Sequence, residues 1–157
     1  MLLRGDRAPD FELPSLIGGV KQRSRLSDQF ATGSVALAFY PFNWDAISAE
    51  QLVSLQLERE SFSAHNTQVV AICVDSIMNT TAWEREIGPF DYSLCSDFWP
   101  HGAVSLAYGV LGDDGASERA AFIVEKNGGI AFAKRYSRDH SLSAIEILEA
   151  LQTSNAP

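Results

Sequence analysis

Cysteine is scarce in this chain of 157 residues: there are two, Cys73 and Cys95, and the three histidines, His65, His101 and His140, are scattered. Neither set shows the i,i+4 or C-x-x-C spacing of a metal site, so no metal is expected, and nothing in the sequence calls for a cofactor. Positive charge is also short, with 12 Lys and Arg against 20 Asp and Glu and a net charge of −8. Without a basic run, the chain repels a phosphate backbone, and nucleic acid is not an expected partner. Long apolar runs are missing as well. The opening MLLRGDRAPDFELP carries acids early and has no extended hydrophobic stretch, and no later run approaches membrane-spanning length. No membrane association is expected, and two cysteines that need not pair fit a reducing cytoplasm.

What is present is ordinary globular composition, 46% hydrophobic and 20% charged, at the length of one domain spanning residues 1–157. Phe11 and Leu13 alternate with Glu12 as one face of a strand. Gly18-Gly19 then closes a hairpin onto Lys21 to Ser24. Ser24 or Ser27 is expected to cap a short helix that ends near Gly33. Val35 to Tyr40 is an apolar strand running into Pro41, and Ser48 to Ala64 has the composition of a helix. Gln68 to Val74 suits a strand buried on both faces, as in a parallel sheet. A helix over Asn79 to Ile87, a short strand over Tyr92 to Ser96 and a helix over Ala103 to Tyr108 follow. Arg119 to Glu125 and Ile130 to Arg135 are strands joined by Lys126-Asn127-Gly128-Gly129, and an amphipathic helix from about Leu142 to Leu151 ends the pattern. Strands and helices that alternate before a hairpin and a last helix predict an α/β protein in three layers with a mixed sheet.

Chemistry is expected where the Val35 to Tyr40 strand hands over to the next helix, because a helix N-terminus collects unpaired N–H groups and the positive end of a dipole. The stretch from Ser34 to Leu52, SVALAFYPFNWDAISAEQL, resembles the active-site segment of the peroxiredoxins, thiol peroxidases in which the strand ends in Pro-x-x-x-Thr-x-x-Cys. The resemblance extends over most of the chain. GDRAPDF (Gly5 to Phe11) is similar to the family's opening G-x-x-A-P-D-F. AICVDS (Ala71 to Ser76) resembles its second strand, CSDFWPHGAVSLAYGV (Cys95 to Val110) a segment of the alkyl-hydroperoxide-reductase-like branch, and SERAAFIVEKNGGI (Ser117 to Ile130) the pattern R-x-x-F-V-I-D-x-x-G. It implies a thioredoxin-like fold, a central mixed sheet flanked by helices behind an N-terminal β-hairpin. It also implies an antioxidant, peroxide-reducing setting, with Arg119 as the residue that holds peroxide and stabilises the thiolate.

The match departs from the family where the chemistry lies. Pro41 is in place, but Asp45 stands at the threonine position, Ser48 at the peroxidatic cysteine position, and Ala46 follows Asp45 where the family usually has proline. Two changed functional positions read as a natural cysteine-less member rather than a nucleophile exchanged on purpose. A serine hydroxyl stays protonated near neutrality and has no sulfenic-acid ladder, and a pocket shifts a pKa by at most ~3 to 5 units. Ser48 is therefore expected to be an N-terminal helix cap, accepting from an N–H near Glu50 or Gln51. Asp45 is expected either to pair with Arg119, filling the space where peroxide would bind, or to face solvent or cap the helix itself. Either Pro41, Asp45, Ser48 and Arg119 form the pocket of a binding or regulatory module for a peroxide-like small molecule or anion, or the chain is that of an active thiol peroxidase, either a working peroxiredoxin carrying a substitution at position 48 or one with Cys95 as the alternative nucleophile. A weaker third class has Asp45 act as general base for water or for Ser48. Cys73, within an apolar strand, reads as a small buried hydrophobe, and a Cys73–Cys95 disulfide remains open. Phe42, Trp44, Phe98 and Trp99 are expected to cluster around the pocket or a dimer face, and a homodimer is expected.

Overall fold

The computed structural model describes residues 1–154, so the last three positions of the expected domain lie outside the described residues. The strands are β1 (Glu12–Ile17), β2 (Val20–Arg25), β3 (Ser34–Phe39), β4 (Thr67–Cys73), β5 (Ser93–Ser96), β6 (Arg119–Val124) and β7 (Ile130–Tyr136). The helices are α1 (Leu26–Phe30), α2 (Ala46–Leu57), α3 (Arg59–Ala64), α4 (Ile77–Ile87), α5 (Ala103–Ala107) and α6 (Ala144–Ser154). All strands join one sheet in the order β2-β1-β5-β4-β3-β6-β7. β3, β4 and β5 are parallel, and β1, β6 and the outer strands run antiparallel to their neighbours. The sheet is therefore mixed, and the N-terminal hairpin enters it through β1 beside β5.

The two-residue period of a strand sorts the core into two faces. Ala36, Ala38 and Tyr40 point to one side with Leu52, Leu55, Phe62, Trp83, Ile147 and Leu151, so α2, α3, α4 and α6 cover that face. Val35, Leu37 and Phe39 point to the other with Leu26, Val104 and Tyr108, under α1 and α5. Each fully buried aliphatic or aromatic side chain contributes roughly 1.5–3 kcal/mol to holding the layers together.

The structure corrects several local expectations. The expected helix over Ser48 to Ala64 begins two residues earlier and is divided at Glu58, whose ψ of 10° ends α2 before α3 starts. Neither Ser24 nor Ser27 caps α1. Arg25 holds the cap position without a side-chain bond, and Asp10 Oδ1 accepts from the Ser27 N–H at 2.9 Å. Ser24 instead bonds Ser15 at 2.7 Å and Ser93 at 3.2 Å across three neighbouring strands. α4 starts at Ile77, two residues ahead of expectation, because Ser76 accepts from the Asn79 N–H.

No helix of the described residues is long and apolar enough to cross a membrane.

Candidate active site

Two elements of the fold deliver the site. β6 runs antiparallel to β3 with Ala120 opposite Phe39, so Arg119 stands beside the C-terminal end of β3, where the chain leaves for α2. Arg119 also shares the parity of Ala121 and Ile123, which face the helix layer containing α2. Strand register alone thus aims a guanidinium at the helix that follows Pro41. Pro41 itself is buried at the head of that loop.

The loop is tied down before it reaches the helix. The backbone N–H of Asn43 donates to Asp75 Oδ2 at 2.6 Å, and its side-chain amide donates to Asn79 Oδ1 and Thr80 Oγ1 at 3.0 and 2.9 Å. Tyr40 donates its hydroxyl to Asn43 Oδ1 at 2.9 Å. Trp44 adopts a left-handed φ of 62°, an unfavourable conformation for a bulky residue, and Trp44 Nε1 is anchored to Asn79 Oδ1 at 3.0 Å. Asp45 then enters the cap position in extended conformation.

Asp45 is the helix cap, which corrects the expectation for Ser48. One oxygen, Oδ2, accepts from the Ser48 N–H at 2.9 Å and from the Ser48 hydroxyl at 2.7 Å. Ser48 is the third residue of α2, so its N–H is the donor that a cap satisfies rather than a partner of its own side chain. The Ser48 oxygen accepts from Arg119 Nη1 at 3.3 Å. Arg119 Nη1 also donates to Gln51 Oε1 at 2.6 Å, and Nη2 donates to the Arg138 carbonyl at 3.1 Å and lies 3.5 Å from Asp45 Oδ2. The expected Asp45–Arg119 pairing and the rival capping role are both realised, by the same oxygen.

Arg119, Ser48 and Gln51 are fully buried, while the Asp45 side chain is 24% exposed. Burial pushes the Arg119 guanidinium below its usual range, and the Asp45 charge opposes that shift. Two buried donors, Gln51 Nε2 and Arg119 Nε, have no hydrogen-bond partner. Gln51 was missed in the sequence, although the three-residue spacing of positions 45, 48 and 51 places them along one face of a helix. The Arg138 carbonyl had no sequence signal, since the chain after β7 returns to the site only in three dimensions. There the Arg138 guanidinium is itself held by Asp114 at 2.6 and 3.1 Å and by Glu118 at 3.4 Å.

The two sulfurs lie elsewhere. Cys73 and Cys95 are free thiols on adjacent strands, and the register that pairs Cys95 with Ile72 puts them on opposite faces of the sheet. That placement closes the question of a disulfide between them. Both are fully buried, and burial pushes each thiol up to about 12. The four aromatics do not form a ring cluster among the described residues. Phe42, Trp44, Phe98 and Trp99 all stand exposed on loops, Trp99 at 81%. Among the described residues no group of three or more His, Cys, Asp or Glu side chains is arranged to hold a metal.

A strand that ends in a proline loop, a capped helix and a buried arginine from the neighbouring antiparallel strand together define a thioredoxin-like fold of the peroxiredoxin type. The chain belongs to that family: the AhpC/TSA family model matches residues 4–133. The alkyl hydroperoxide reductase E of Mycobacterium tuberculosis is 35% identical over 135 residues, covering 85% of this chain and 86% of that protein. The chloroplastic 2-Cys peroxiredoxin BAS1 of Hordeum vulgare is 30% identical over 157 residues, covering 96% and 74%. In fold, the reduced 2-Cys peroxiredoxin of Plasmodium vivax superposes with a TM-score of 0.91 at 24% identity, covering 97% of this chain and 81% of that one. The family is one of thiol peroxidases with antioxidant function.

Proposed function

We propose that residues 1–157 form a single peroxiredoxin-like domain that lacks conventional thiol peroxidase activity and works as a binding or regulatory module. One observation carries this reading. At the position the family resemblance gives to the peroxidatic cysteine, a buried serine oxygen is locked between Asp45 at 2.7 Å and Arg119 at 3.3 Å. Peroxide reduction by this family needs a thiolate that can become a sulfenic acid, and an alcohol supplies neither. The two thiols the chain does possess are buried and held far into the protonated range, which argues against a transfer of the role to Cys95.

The ligand class that matches these groups is a hydrogen-bond acceptor, a small anion or peroxide-like molecule. The unpartnered donors Gln51 Nε2 and Arg119 Nε support that choice, and Pro41, Asp45 and Ser48 would form the rest of the surround. The exposed Phe42, Trp44, Phe98 and Trp99 support burial against a second copy in a homodimer. Two free cysteines support a reducing, cytoplasmic setting.

The test is hydrogen peroxide consumption by the purified protein under excess dithiothreitol, with mass spectrometry for sulfenic acid at Cys73 and Cys95. No turnover and no label are expected. Turnover accompanied by oxidation of Cys95 would overturn the proposal and return the protein to the peroxidases.

A further inference from the structure

The parallel strands β3, β4 and β5 have two ends. Their C-terminal end carries the network of Asp45, Ser48 and Arg119, and their N-terminal end opens onto a separate cavity of about 370 Å³ that none of those residues lines. Its walls come from the first residues of β4, the last of β1, the start of β5 and helices α1 and α3. That volume falls within the range of small-molecule sites, roughly 300–1,000 Å³.

The lining divides by chemistry. Phe62, Val69 and Tyr92 are buried and give an apolar, partly aromatic wall. Most polar groups around it are already engaged. The Tyr92 hydroxyl donates to the Leu52 carbonyl at 2.5 Å, and the Thr67 hydroxyl to the His65 carbonyl at 3.1 Å. Arg59 is paired with Asp91 at 3.1 Å, and Asp91 also accepts from Gln56 at 2.7 Å. Gln29 is different. Its amide nitrogen reaches Ser93 Oγ at 3.5 Å, while Gln29 Oε1 is buried with no partner at all. At the rim, the Glu60 side chain is exposed and enters no ion pair or hydrogen bond among the described residues.

A buried acceptor without a donor is destabilising, so a ligand that brings a donor recovers that cost. With Arg59 neutralised by Asp91, the uncompensated charge at the rim is the negative charge of Glu60. We propose that this cavity is a second ligand site, which takes a small molecule with a flat apolar body and a cationic hydrogen-bond donor such as an amine or amidine. The donor meets Gln29 Oε1, the apolar body lies along Phe62, Val69 and Tyr92, and Glu60 supplies the long-range attraction. The site does not depend on the chemistry at Ser48.

Benzamidine, benzamide and benzoate probe these terms separately, because they share one ring and differ in donor and charge. In ¹⁵N-resolved NMR titrations of the whole protein, benzamidine is expected to shift the amides of Gln29 and Ser93 with millimolar affinity. Benzamide should bind more weakly and benzoate not at all. Gln29→Leu is expected to weaken benzamidine by about tenfold, and Gln29→Glu to tighten it, with thermal melts confirming that both variants are folded. Shifts by benzoate as large as those by benzamidine, no shift by benzamidine, or an unchanged affinity in folded Gln29→Leu would each overturn the proposal.

Discussion

The oxygen of Ser48 and the sulfurs of Cys73 and Cys95 are all withdrawn from solvent, but by opposite means. Ser48 lies in a polar surround where a carboxylate accepts a hydrogen bond from its hydroxyl and a guanidinium donates to its oxygen. The cysteines lie in the apolar layers on the two faces of the sheet, where burial disfavours the thiolate. The place built to stabilise an anion holds a side chain that does not ionise, and the side chains that do ionise occupy places built against it. Reactivity in this fold is thus a property of position before it is a property of element. A thiol on β4 or β5 inherits none of the field made by the N-terminus of α2 and Arg119.

The largest effect expected from this contrast concerns the thiols. A rise from 9.0 to about 12 cuts the thiolate fraction at neutral pH by about a thousandfold, before any steric protection is counted. Native protein should therefore resist iodoacetamide at pH 7, and both cysteines should label rapidly once urea unfolds the chain. Fast alkylation of Cys95 in the folded state would erase the distinction between the two environments.

Next in size is the Asp45→Ala variant. Its carboxylate caps α2 and balances a fully buried guanidinium, so removal costs about 1 kcal/mol for the cap and leaves Arg119 with only neutral acceptors. A total loss of roughly 3 kcal/mol in urea unfolding is expected. Combining it with Arg119→Met should recover part of that loss, because the double variant no longer buries an unbalanced charge. If the two losses simply add, the 3.5 Å approach of Asp45 to Arg119 carries no energy.

Placing sulfur at position 48 sharpens the comparison directly. In Ser48→Cys the new thiol would sit against Asp45 Oδ2, and a neighbouring carboxylate raises a thiol pKa. Peroxide consumption by Ser48→Cys is expected to be detectable but slow. Ser48→Cys/Asp45→Thr should be faster by about tenfold or more, since a pKa shift of about one unit is worth that factor near neutrality. Equal rates in the two variants would mean that the carboxylate does not suppress the site.

Much of this contrast is legible in the sequence, and the parts that are not have a common cause. The apolar runs at Val35 to Tyr40 and Gln68 to Val74 announce the buried parallel strands because a strand covered on both faces admits little else. Arg119 and Asp45 stand out as candidate site residues through the resemblance of their segments to the family's motifs. The role of Ser48 is misjudged because Ser and Asp are both good caps, and the sequence does not say which of two candidates three residues apart takes the extended conformation. Tertiary anchoring decides it: Asn43 and Trp44 are pinned to α4, which fixes the loop so that Asp45 arrives first. The Arg138 carbonyl and the cavity at Gln29 are set by chain returns over many residues, to which local periodicity is blind.

The smallest effect tests how far the polar environment of Ser48 extends. Arg138 presents its carbonyl to Arg119, and its own guanidinium is held by Asp114, so Asp114 acts on the site only through another residue. The hydrogen bond from Arg138 and the Ala116 N–H keep the Asp114 carboxyl down at about 2, below its ordinary 3.8. A carboxylate depressed in the folded state contributes stability that is present above its unfolded value and disappears as pH falls through the folded one. Asp114→Asn should therefore lower the melting temperature slightly near pH 7, with the two curves drawing together between pH 3.8 and about 2. The change stays small because Asp114 is on the surface and Glu118 remains 3.4 Å from the same guanidinium. A pH-independent offset would assign the effect to loop geometry instead of charge. A loss as large as that of Asp45→Ala would place the anchor of Arg119 at Arg138, shifting the origin of the site's polarity from the helix cap to the chain beyond β7.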